Sequence, residues 1–186
     1  MSQRNIPGTR KEEGNNYETP IWAVEALLKR ESFEGEILEP CCGLGKISKT
    51  LETYGYTVIS SDKRNGEKIY GTGGVDVYSI KQCYSNIITN PPYERNLDNM
   101  VRHMSLLYKN KMALLLRLNF LESERRFQLF VSSPLKVVYI FSSRVTMYPE
   151  GTEAPQNKGT ISYAWFVWEK GYTGPTILKF IDDKQP

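Results

Sequence analysis

The chain has 186 residues, of which 40% are hydrophobic and 24% charged, and its formal net charge is +3. This length and composition predict one globular domain with a sizeable core and exclude a disordered chain, while the mild positive charge permits a polyanionic partner without requiring one. Three cysteines, two of them adjacent, match neither a disulfide framework nor a paired Cys-x-x-Cys zinc site, which fits a reduced compartment. No apolar run is long enough to cross a bilayer and residues 1–16 have no signal-peptide core, so we expect a cytoplasmic protein without a membrane partner.

The chain divides into a short polar start and one long folded segment. Residues 1–16 carry Arg4, Arg10 and Lys11 among Gly, Asn and Glu, which predicts a flexible N-terminal arm. Residues 17–186 contain no internal repeat and no domain linker, so we expect them to form a single domain.

A helix is predicted to begin at the segment Tyr17-Glu18-Thr19-Pro20. Thr19 is a favourable N-cap residue, and Pro20 suits the first helical position. The apolar face of this helix follows at helical spacing with Ile21, Val24, Leu27 and Leu28.

A glycine-rich turn follows the first buried strand, Ile37-Leu38. Its sequence is Glu39-Pro40-Cys41-Cys42-Gly43-Leu44-Gly45, and a helix is predicted behind it. Glycines allow a ligand to approach the backbone closely, and a helix N-terminus presents free N–H groups. The turn lacks the third glycine of the dinucleotide-binding fingerprint. We interpret Cys41 and Cys42 as small loop residues, because the chain's one histidine, His103, lies on a predicted helix far along the sequence.

An acidic residue ends the second predicted strand, residues 57–61. This residue, Asp62, follows the glycine-rich turn at the distance typical of nucleoside-binding α/β folds. An acid at this place accepts hydrogen bonds from the ribose hydroxyl groups. Asp62 is therefore the candidate ribose-binding residue.

The segment Thr89-Asn90-Pro91-Pro92-Tyr93 lies between a buried strand and a helical pattern, where open α/β sheets bind their ligands. Two consecutive prolines form a stiff turn and leave carbonyl groups unpaired by regular structure. The Asn90 side-chain oxygen and the Pro91 carbonyl oxygen can each accept one N–H of a planar amino group, while the Tyr93 ring stacks on its plane. The pattern predicts a site that binds a flat group bearing an NH2.

The second half of the chain predicts four more strands, at residues 112–116, 137–141, 162–168 and 176–181. We expect the aromatic strand 162–168 to pack at the edge of the sheet, with 176–181 as a final edge strand. A long loop, residues 142–159, is expected to emerge at the ligand side and to help cover the target. It holds Arg144, Tyr148, Pro149, Glu150 and Lys158.

Taken in order, these segments resemble the motifs of S-adenosylmethionine-dependent amino-methyltransferases, and most of all the small phage-type DNA adenine-N6 methyltransferases. Residues 17–20 resemble motif X, residues 39–45 motif I, Asp76-Val77 motif III and residues 90–93 motif IV. The resemblance covers residues 17–168. It implies a Rossmann-like α/β fold with a seven-stranded, mostly parallel sheet, one antiparallel edge strand and helices on both faces.

The resemblance also implies a role for each site residue, with S-adenosylmethionine as cofactor, S-adenosylhomocysteine as product and no metal. Glu39 is expected near the cofactor ammonium, Asp76 at its adenine amino group and Val77 against its adenine ring. The residues expected at the cofactor are Tyr17, Thr19, Glu39, Pro40, Cys41, Gly43, Gly45, Asp62, Asp76, Val77 and Asn90. The catalytic residues expected at the target amine are Asn90, Pro91, Pro92 and Tyr93.

The expected reaction is methyl transfer to the N6 amine of adenine in DNA, with DNA as the partner and no indication of an oligomer. RNA adenine or guanine amino groups and protein glutamine remain alternatives, because each presents a planar NH2. Cytosine N4 is disfavoured, since those enzymes usually have Ser where Asn90 stands. A non-catalytic methyltransferase-like subunit that binds nucleic acid is the non-enzyme alternative. Larger DNA adenine enzymes carry a separate target-recognition domain, for which this chain has no room, so specificity must come from loops or an oligomer, or be low.

Overall fold

The computed structural model describes residues 17–152 and 159–183, so the predicted arm of residues 1–16 lies outside the described residues. The strands are β1 (Tyr17–Glu18), β2 (Ile37–Glu39), β3 (Val58–Asp62), β4 (Thr72–Gly73), β5 (Tyr84–Thr89), β6 (Tyr108–Arg117), β7 (Leu135–Phe141), β8 (Tyr148–Pro149), β9 (Tyr163–Glu169) and β10 (Ile177–Ile181). The α-helices are α1 (Ile21–Leu28), α2 (Lys46–Thr53), α3 (Leu97–Met104) and α4 (Glu124–Val131). Short 3₁₀ helices span Val77–Ser79 and Leu118–Leu121.

Within the described residues, eight strands form one sheet at the centre of the fold. Its strand order is β10-β7-β9-β6-β5-β2-β3-β4. Neighbouring strands run parallel except at β9, which is antiparallel to both β6 and β7. The predicted Rossmann-like α/β fold with a mostly parallel sheet is confirmed.

Two details of the predicted sheet were wrong. The antiparallel strand, β9, lies inside the sheet and not at its edge, because it forms hydrogen-bonded ladders on both sides and six of its seven residues are buried. The parallel strand β10 occupies that edge of the sheet. The sheet also has eight strands where seven were expected, since the short polar strand β4 extends it beyond β3.

Helices cover both faces of the sheet, as predicted. On one face, α1 and α2 pack over Ile37 and Trp165, and the Trp165 indole N–H donates to the Ala23 carbonyl at 2.7 Å. On the other face, Val101 and Met104 of α3 pack with α4 over the same strands. Within residues 17–152 and 159–183, no helix is both long and apolar enough to cross a bilayer.

A separate two-stranded sheet joins the first described residues to the loop after β7. Strands β1 and β8 pair antiparallel, with Glu18 opposite Tyr148. Helix α1 then begins behind Pro20 without a side-chain cap, so the expected N-cap role of Thr19 is wrong. The Thr19 hydroxyl instead accepts a hydrogen bond from Asn90 at 3.1 Å, which places it in the site described next.

Candidate functional site

A cleft opens where β2, β3 and β5 end, at the carboxyl side of the sheet. Its main cavity has a volume of about 250 Å³, and a smaller cavity of about 30 Å³ adjoins it. The main cavity is lined by the predicted residues Tyr17, Pro40, Cys41, Asp62, Asp76, Val77, Asn90, Pro91, Pro92 and Tyr93. The smaller cavity is lined by the predicted residues Tyr17, Thr19, Glu39, Cys41, Gly43 and Asn90. The fold therefore brings together every predicted site residue except Gly45, which lines neither cavity.

The glycine-rich turn leads from β2 into α2 at the floor of the smaller cavity. Gly43 and Gly45 have positive φ values of 52° and 82°, which favour glycine over any residue with a side chain. A Cβ on Gly45 would collide with the Tyr70 ring, so Gly45 serves the shape of the turn and not the cavity surface. A hydrogen bond from the Cys42 N–H to the Ser61 carbonyl, at 2.9 Å, connects the turn to β3.

Asp62 connects the end of β3 to this turn. Its carboxylate accepts hydrogen bonds from the Gly43 N–H at 2.8 Å and from the Arg64 side chain at 3.0 and 3.1 Å. Burial alone would raise the pKa of Asp62, but the hydrogen bonds from Arg64 and Gly43 outweigh it and hold that pKa below its ordinary value. Asp62 is therefore a fixed anion at the rim of the cleft.

Glu39, at the end of β2, is almost completely buried. The Ser48 hydroxyl of α2 donates a hydrogen bond to its carboxyl group. Burial raises the pKa of Glu39 to about 8, although the hydrogen bond from Ser48 opposes the shift. At neutral pH this carboxyl group is mostly protonated, so it differs from Asp62 in carrying little charge.

Asp76 and Val77 form the opposite wall of the main cavity. Asp76 caps the 3₁₀ helix by accepting the Tyr78 N–H at 3.0 Å, and its carboxylate pairs with Lys63 at 2.9 Å. The hydrogen bond from Lys63 lowers the pKa of Asp76. Val77 is buried and supplies an apolar surface to the cavity.

The corner formed by Asn90, Pro91, Pro92 and Tyr93 lies directly after β5. The Asn90 amide group donates to the Thr19 hydroxyl at 3.1 Å, and its Oδ1 atom accepts from the Tyr93 hydroxyl at 2.6 Å. The Pro92 carbonyl accepts the Glu94 N–H at 3.0 Å. Among the described residues, no backbone N–H donates to the Pro91 carbonyl, which leaves this acceptor for a ligand.

Tyr93 is held against the sheet by two neighbouring side chains that contact its ring. The Arg117 guanidinium carbon lies 4.6 Å from the ring centroid, and the Tyr163 ring lies 5.7 Å away. The Leu115 carbonyl lies 3.0 Å from the Tyr93 hydroxyl and shares its single proton with Asn90 Oδ1. Burial raises the pKa of this hydroxyl well above its ordinary value. Tyr93 is thus a neutral hydrogen-bond donor that fixes Asn90.

Four charged residues that line the main cavity were not predicted as site residues: Lys63, Arg64, Glu94 and Glu150. Arg64 and Glu150 both line the main cavity, and the Glu150 carboxylate accepts hydrogen bonds from Arg64 at 2.7 and 2.9 Å. Glu150 belongs to the loop that was expected to cover the target, and it lies beside the Gly43 turn. Arg64 and Glu150 lie 86 positions apart in the sequence, and no local pattern signals their contact.

Comparison with solved structures relates this geometry to known proteins. A protein from Pyrococcus horikoshii described as an RNA methyltransferase shares the fold with a TM-score of 0.61 and 13% identity, covering 84% of this chain and 87% of that one. A protein from Vibrio vulnificus YJ016, described as a modification subunit of a type I restriction enzyme, gives a TM-score of 0.58 and 14% identity over 95% of this chain and 49% of that one.

A third structure contains the expected cofactor. The magnesium protoporphyrin IX methyltransferase of Synechocystis PCC 6803, solved with bound S-adenosylmethionine, gives a TM-score of 0.52 and 15% identity over 80% of this chain and 76% of that one. This chain spans about half the length of the Vibrio protein, 49%. No family model and no curated protein matches the sequence. The chain has the fold of S-adenosylmethionine-dependent methyltransferases.

Proposed function

We propose that the protein is an S-adenosylmethionine-dependent N-methyltransferase that acts on the N6 amine of adenine in DNA. One observation carries this proposal: the Asn90–Tyr93 corner and the Gly43 turn face the same cleft, at the carboxyl ends of β2, β3 and β5. In the proposed function, the corner binds the target amine and the turn binds the nucleoside of the cofactor, so both would act within one cavity system. The fold and the site chemistry support the same activity.

The residues of the cleft fit the cofactor. Gly43 has no side chain, so the Glu150 carboxylate is what stands between its backbone and a ligand. The Asp62 carboxylate is an ionised acceptor suited to ribose hydroxyls. Asp76 offers an acceptor for the adenine amino group, beside the apolar surface of Val77. When bound, S-adenosylmethionine would supply an electrophilic methyl group on its sulfonium. Tyr17, Thr19, Pro40 and Cys41 would complete the wall around it.

The corner provides two acceptors for the target amine. The lone pair of the adenine amine is delocalised into the ring, so its nitrogen is a poor nucleophile. Asn90 Oδ1 and the Pro91 carbonyl would each accept one N–H, which draws the nitrogen toward tetrahedral geometry. These hydrogen bonds strengthen as the nitrogen gains positive charge, so they stabilise the transition state more than the ground state.

Asn90 is positioned by its neighbours before any target binds. Its amide group bonds to Thr19, and its oxygen receives the Tyr93 hydroxyl while keeping a second lone pair for the target. Such preorganisation lowers the reorganisation needed at the moment of methyl transfer. The Tyr93 ring and the adjoining Pro92 would contact the flat face of the target base after it leaves the DNA stack.

Two further points support a nucleic-acid target. The chain carries a net charge of +3, and two proteins with this fold are described as a restriction-enzyme modification subunit and an RNA methyltransferase. RNA bases and protein glutamine also present a planar NH2 group. The experiment described next therefore tests DNA, RNA and protein together.

The test is incubation with cofactor labelled in its methyl group and separate pools of DNA, RNA and protein, followed by nucleoside and amino-acid analysis. We expect label in N6-methyladenine from DNA. Label only in RNA or in glutamine would replace the proposed substrate, and cofactor binding without label in any pool would favour the non-catalytic alternative. The variant Asn90→Ala is the matched control, since it should bind cofactor and transfer label at least about 100-fold more slowly.

A further inference from the structure

The loop that follows β7 places a carboxylate directly over the glycine-rich turn. In residues 147–151, Glu150 accepts two hydrogen bonds from Arg64, at 2.7 and 2.9 Å. Its Oε1 atom occupies the space that a side chain at Gly43 would need. Glu150 lines both cavities of the cleft. An ion pair therefore stands where the bare backbone of the turn would otherwise meet a ligand.

The backbone of this loop is held independently of the Glu150 side chain. Strand β8 pairs with β1, and the Gly151 N–H donates to the Glu18 carboxylate at 3.2 Å. Glu18 also pairs with Lys46 of α2 at 3.5 Å. Because these contacts lie on both sides of Glu150, its carboxylate can exchange one partner for another without displacement of the loop.

The charges around the turn do not balance among themselves. Asp62 and Glu150 both bond to the single guanidinium of Arg64, which leaves one negative charge in excess. The nearby Lys46 and Lys63 are engaged with Glu18 and Asp76. The excess lies in a partly buried setting, where the side chains of Asp62 and Glu150 are 9% and 16% exposed. A ligand ammonium would give Glu150 a counter-ion that it does not share with Asp62.

We propose that the Arg64–Glu150 ion pair is the receptor for the zwitterionic amino-acid end of the cofactor, with Glu150 taking the ammonium and Arg64 the carboxylate. This assignment rests on the proposed function. It replaces the expected placement of Glu39 at the ammonium, because Glu39 is buried and its carboxyl group accepts the Ser48 hydroxyl. An α-amino acid carries two opposite charges close together, as the ion pair does. Binding would therefore replace the contact between Arg64 and Glu150 with two charge pairs, one between Glu150 and the ligand ammonium and one between Arg64 and the ligand carboxylate. In the free protein each partner of the ion pair stands in for one charge of the ligand.

The test compares ligands that do and do not carry the amino-acid end. S-adenosylhomocysteine carries both charges, whereas 5′-methylthioadenosine keeps only the nucleoside and thioether. Isothermal titration would give both dissociation constants for the wild type and for Glu150→Gln. We expect Glu150→Gln to raise the dissociation constant for S-adenosylhomocysteine by about tenfold or more. The dissociation constant for 5′-methylthioadenosine should rise by less than about twofold, because a charge-assisted hydrogen bond is lost only for the first ligand.

Two other variants sharpen the comparison. Glu67→Gln removes a carboxylate from the same exposed loop as Arg64, and it should change neither affinity, since Glu67 is exposed. Arg64→Gln should abolish the preference for S-adenosylmethionine over its decarboxylated form, because only the former presents a carboxylate. Circular dichroism of each variant checks that it is folded, and Glu150→Asp serves as the substitute if Glu150→Gln is not.

The outcomes separate this inference from the proposed function. If the wild type binds neither ligand, the cofactor assignment fails and the inference fails with it. If the wild type binds S-adenosylhomocysteine and Glu150→Gln binds it equally well or more tightly, the proposed function stands and the receptor role of Glu150 is overturned. If Glu150→Gln lowered the affinity for both ligands equally, the receptor role of Glu150 would also be overturned, since the carboxylate would then support the cleft as a whole.

Discussion

The Tyr93 hydroxyl donates a hydrogen bond to the Oδ1 atom of Asn90 at 2.6 Å. The Leu115 carbonyl shares the single proton of this hydroxyl, and the ring packs against Arg117. The aromatic residue of the corner thus has a second role beside the expected stacking on a target base, because it orients the amide that would bind the target amine.

The two roles of Tyr93 can be separated by substitution. Tyr93→Phe keeps the ring and loses a hydrogen bond of about 1 kcal/mol, so we expect kcat to fall roughly fivefold with the KM for DNA unchanged. Tyr93→Ala also loses stacking of about 1–3 kcal/mol and should raise that KM. Steady-state kinetics with a DNA substrate measure both effects. Tyr54→Phe, which changes an exposed hydroxyl bonded to Glu25, is the control. A rise in KM for Tyr93→Phe equal to that for Tyr93→Ala would contradict the orienting role.

Asn90 is expected to serve catalysis far more than cofactor binding. Asn90→Ala removes one of the two acceptors for the target amine, so we expect kcat to fall by about 100-fold or more, as when one preorganised polar group is lost from an active site. Cofactor affinity should remain nearly intact, because the proposed cofactor contacts at Asp62 and Asp76 remain. Calorimetric titration and turnover assays give the two quantities. Comparable losses in both would assign Asn90 to the cofactor instead.

Local sequence signals predicted most of the cleft, since its residues lie at strand ends and in tight turns. The turn around Gly43 and the double-proline corner after Asn90 can be recognised within a few positions, and parallel strands bring their carboxyl ends together. The contact between Arg64 and Glu150 could not be found in this way, because it depends on how a long loop folds back over the sheet.

The misplaced strand β9 had a signal that pointed to its true position. Residues 163–168 are continuously apolar and aromatic, without the alternation of a strand that has one face in water. A strand covered on both faces belongs in the interior of a sheet. The edge strand β10 is exposed at four of its five residues, and the exposed residues include the apolar Leu178 and Phe180. Because these apolar residues are typical of a buried strand, the composition of β10 did not indicate an edge position.

Asp62 should govern cofactor affinity before it affects the chemical step. Asp62→Asn keeps the size of the side chain but removes the charge that holds Arg64 and would bind the ribose hydroxyls. We expect the dissociation constant for S-adenosylhomocysteine to rise about tenfold, and kcat at saturating cofactor to change by less than about threefold. Asp183→Asn, which alters an ion pair with Lys29 and Arg30, provides the control. Unchanged affinity in Asp62→Asn would refute the ribose assignment.

The interior position of β9 makes Trp165 important for stability. Its side chain is fully buried, and its indole N–H bonds to the Ala23 carbonyl of α1. Trp165→Phe loses volume and this hydrogen bond, so we expect the free energy of unfolding to fall by about 2–4 kcal/mol in urea denaturation. Phe180→Ala, on the exposed edge strand, should change it by less than about 0.5 kcal/mol. A similar loss in both variants would argue that β10 is as well packed as β9.

The two acids at the ends of β2 and β3 act on stability in opposite pH ranges. Asp62 has a lowered pKa in the folded protein, so its contribution is present above its unfolded-state pKa and is lost at lower, acidic pH. Glu39 has a pKa raised from 4.5 to about 8, mainly by burial. Between these two values the folded state binds a proton that the unfolded state has released, so the contribution of Glu39 makes stability fall as pH rises and level off above about 8.

Replacing Glu39 with Gln should remove that dependence. Gln is close in size to the protonated acid and can still accept the hydrogen bond from Ser48, so Glu39→Gln and the wild type should be about equally stable at pH 5. At pH 8.5 the variant should be more stable, because the wild type must either keep a proton against the solvent pH or bury a carboxylate. Urea denaturation at both pH values measures the difference, with Glu67→Gln as an exposed control. A variant no more stable than the wild type at pH 8.5 would mean that Glu39 is ionised in the folded protein, stabilised by groups other than Ser48.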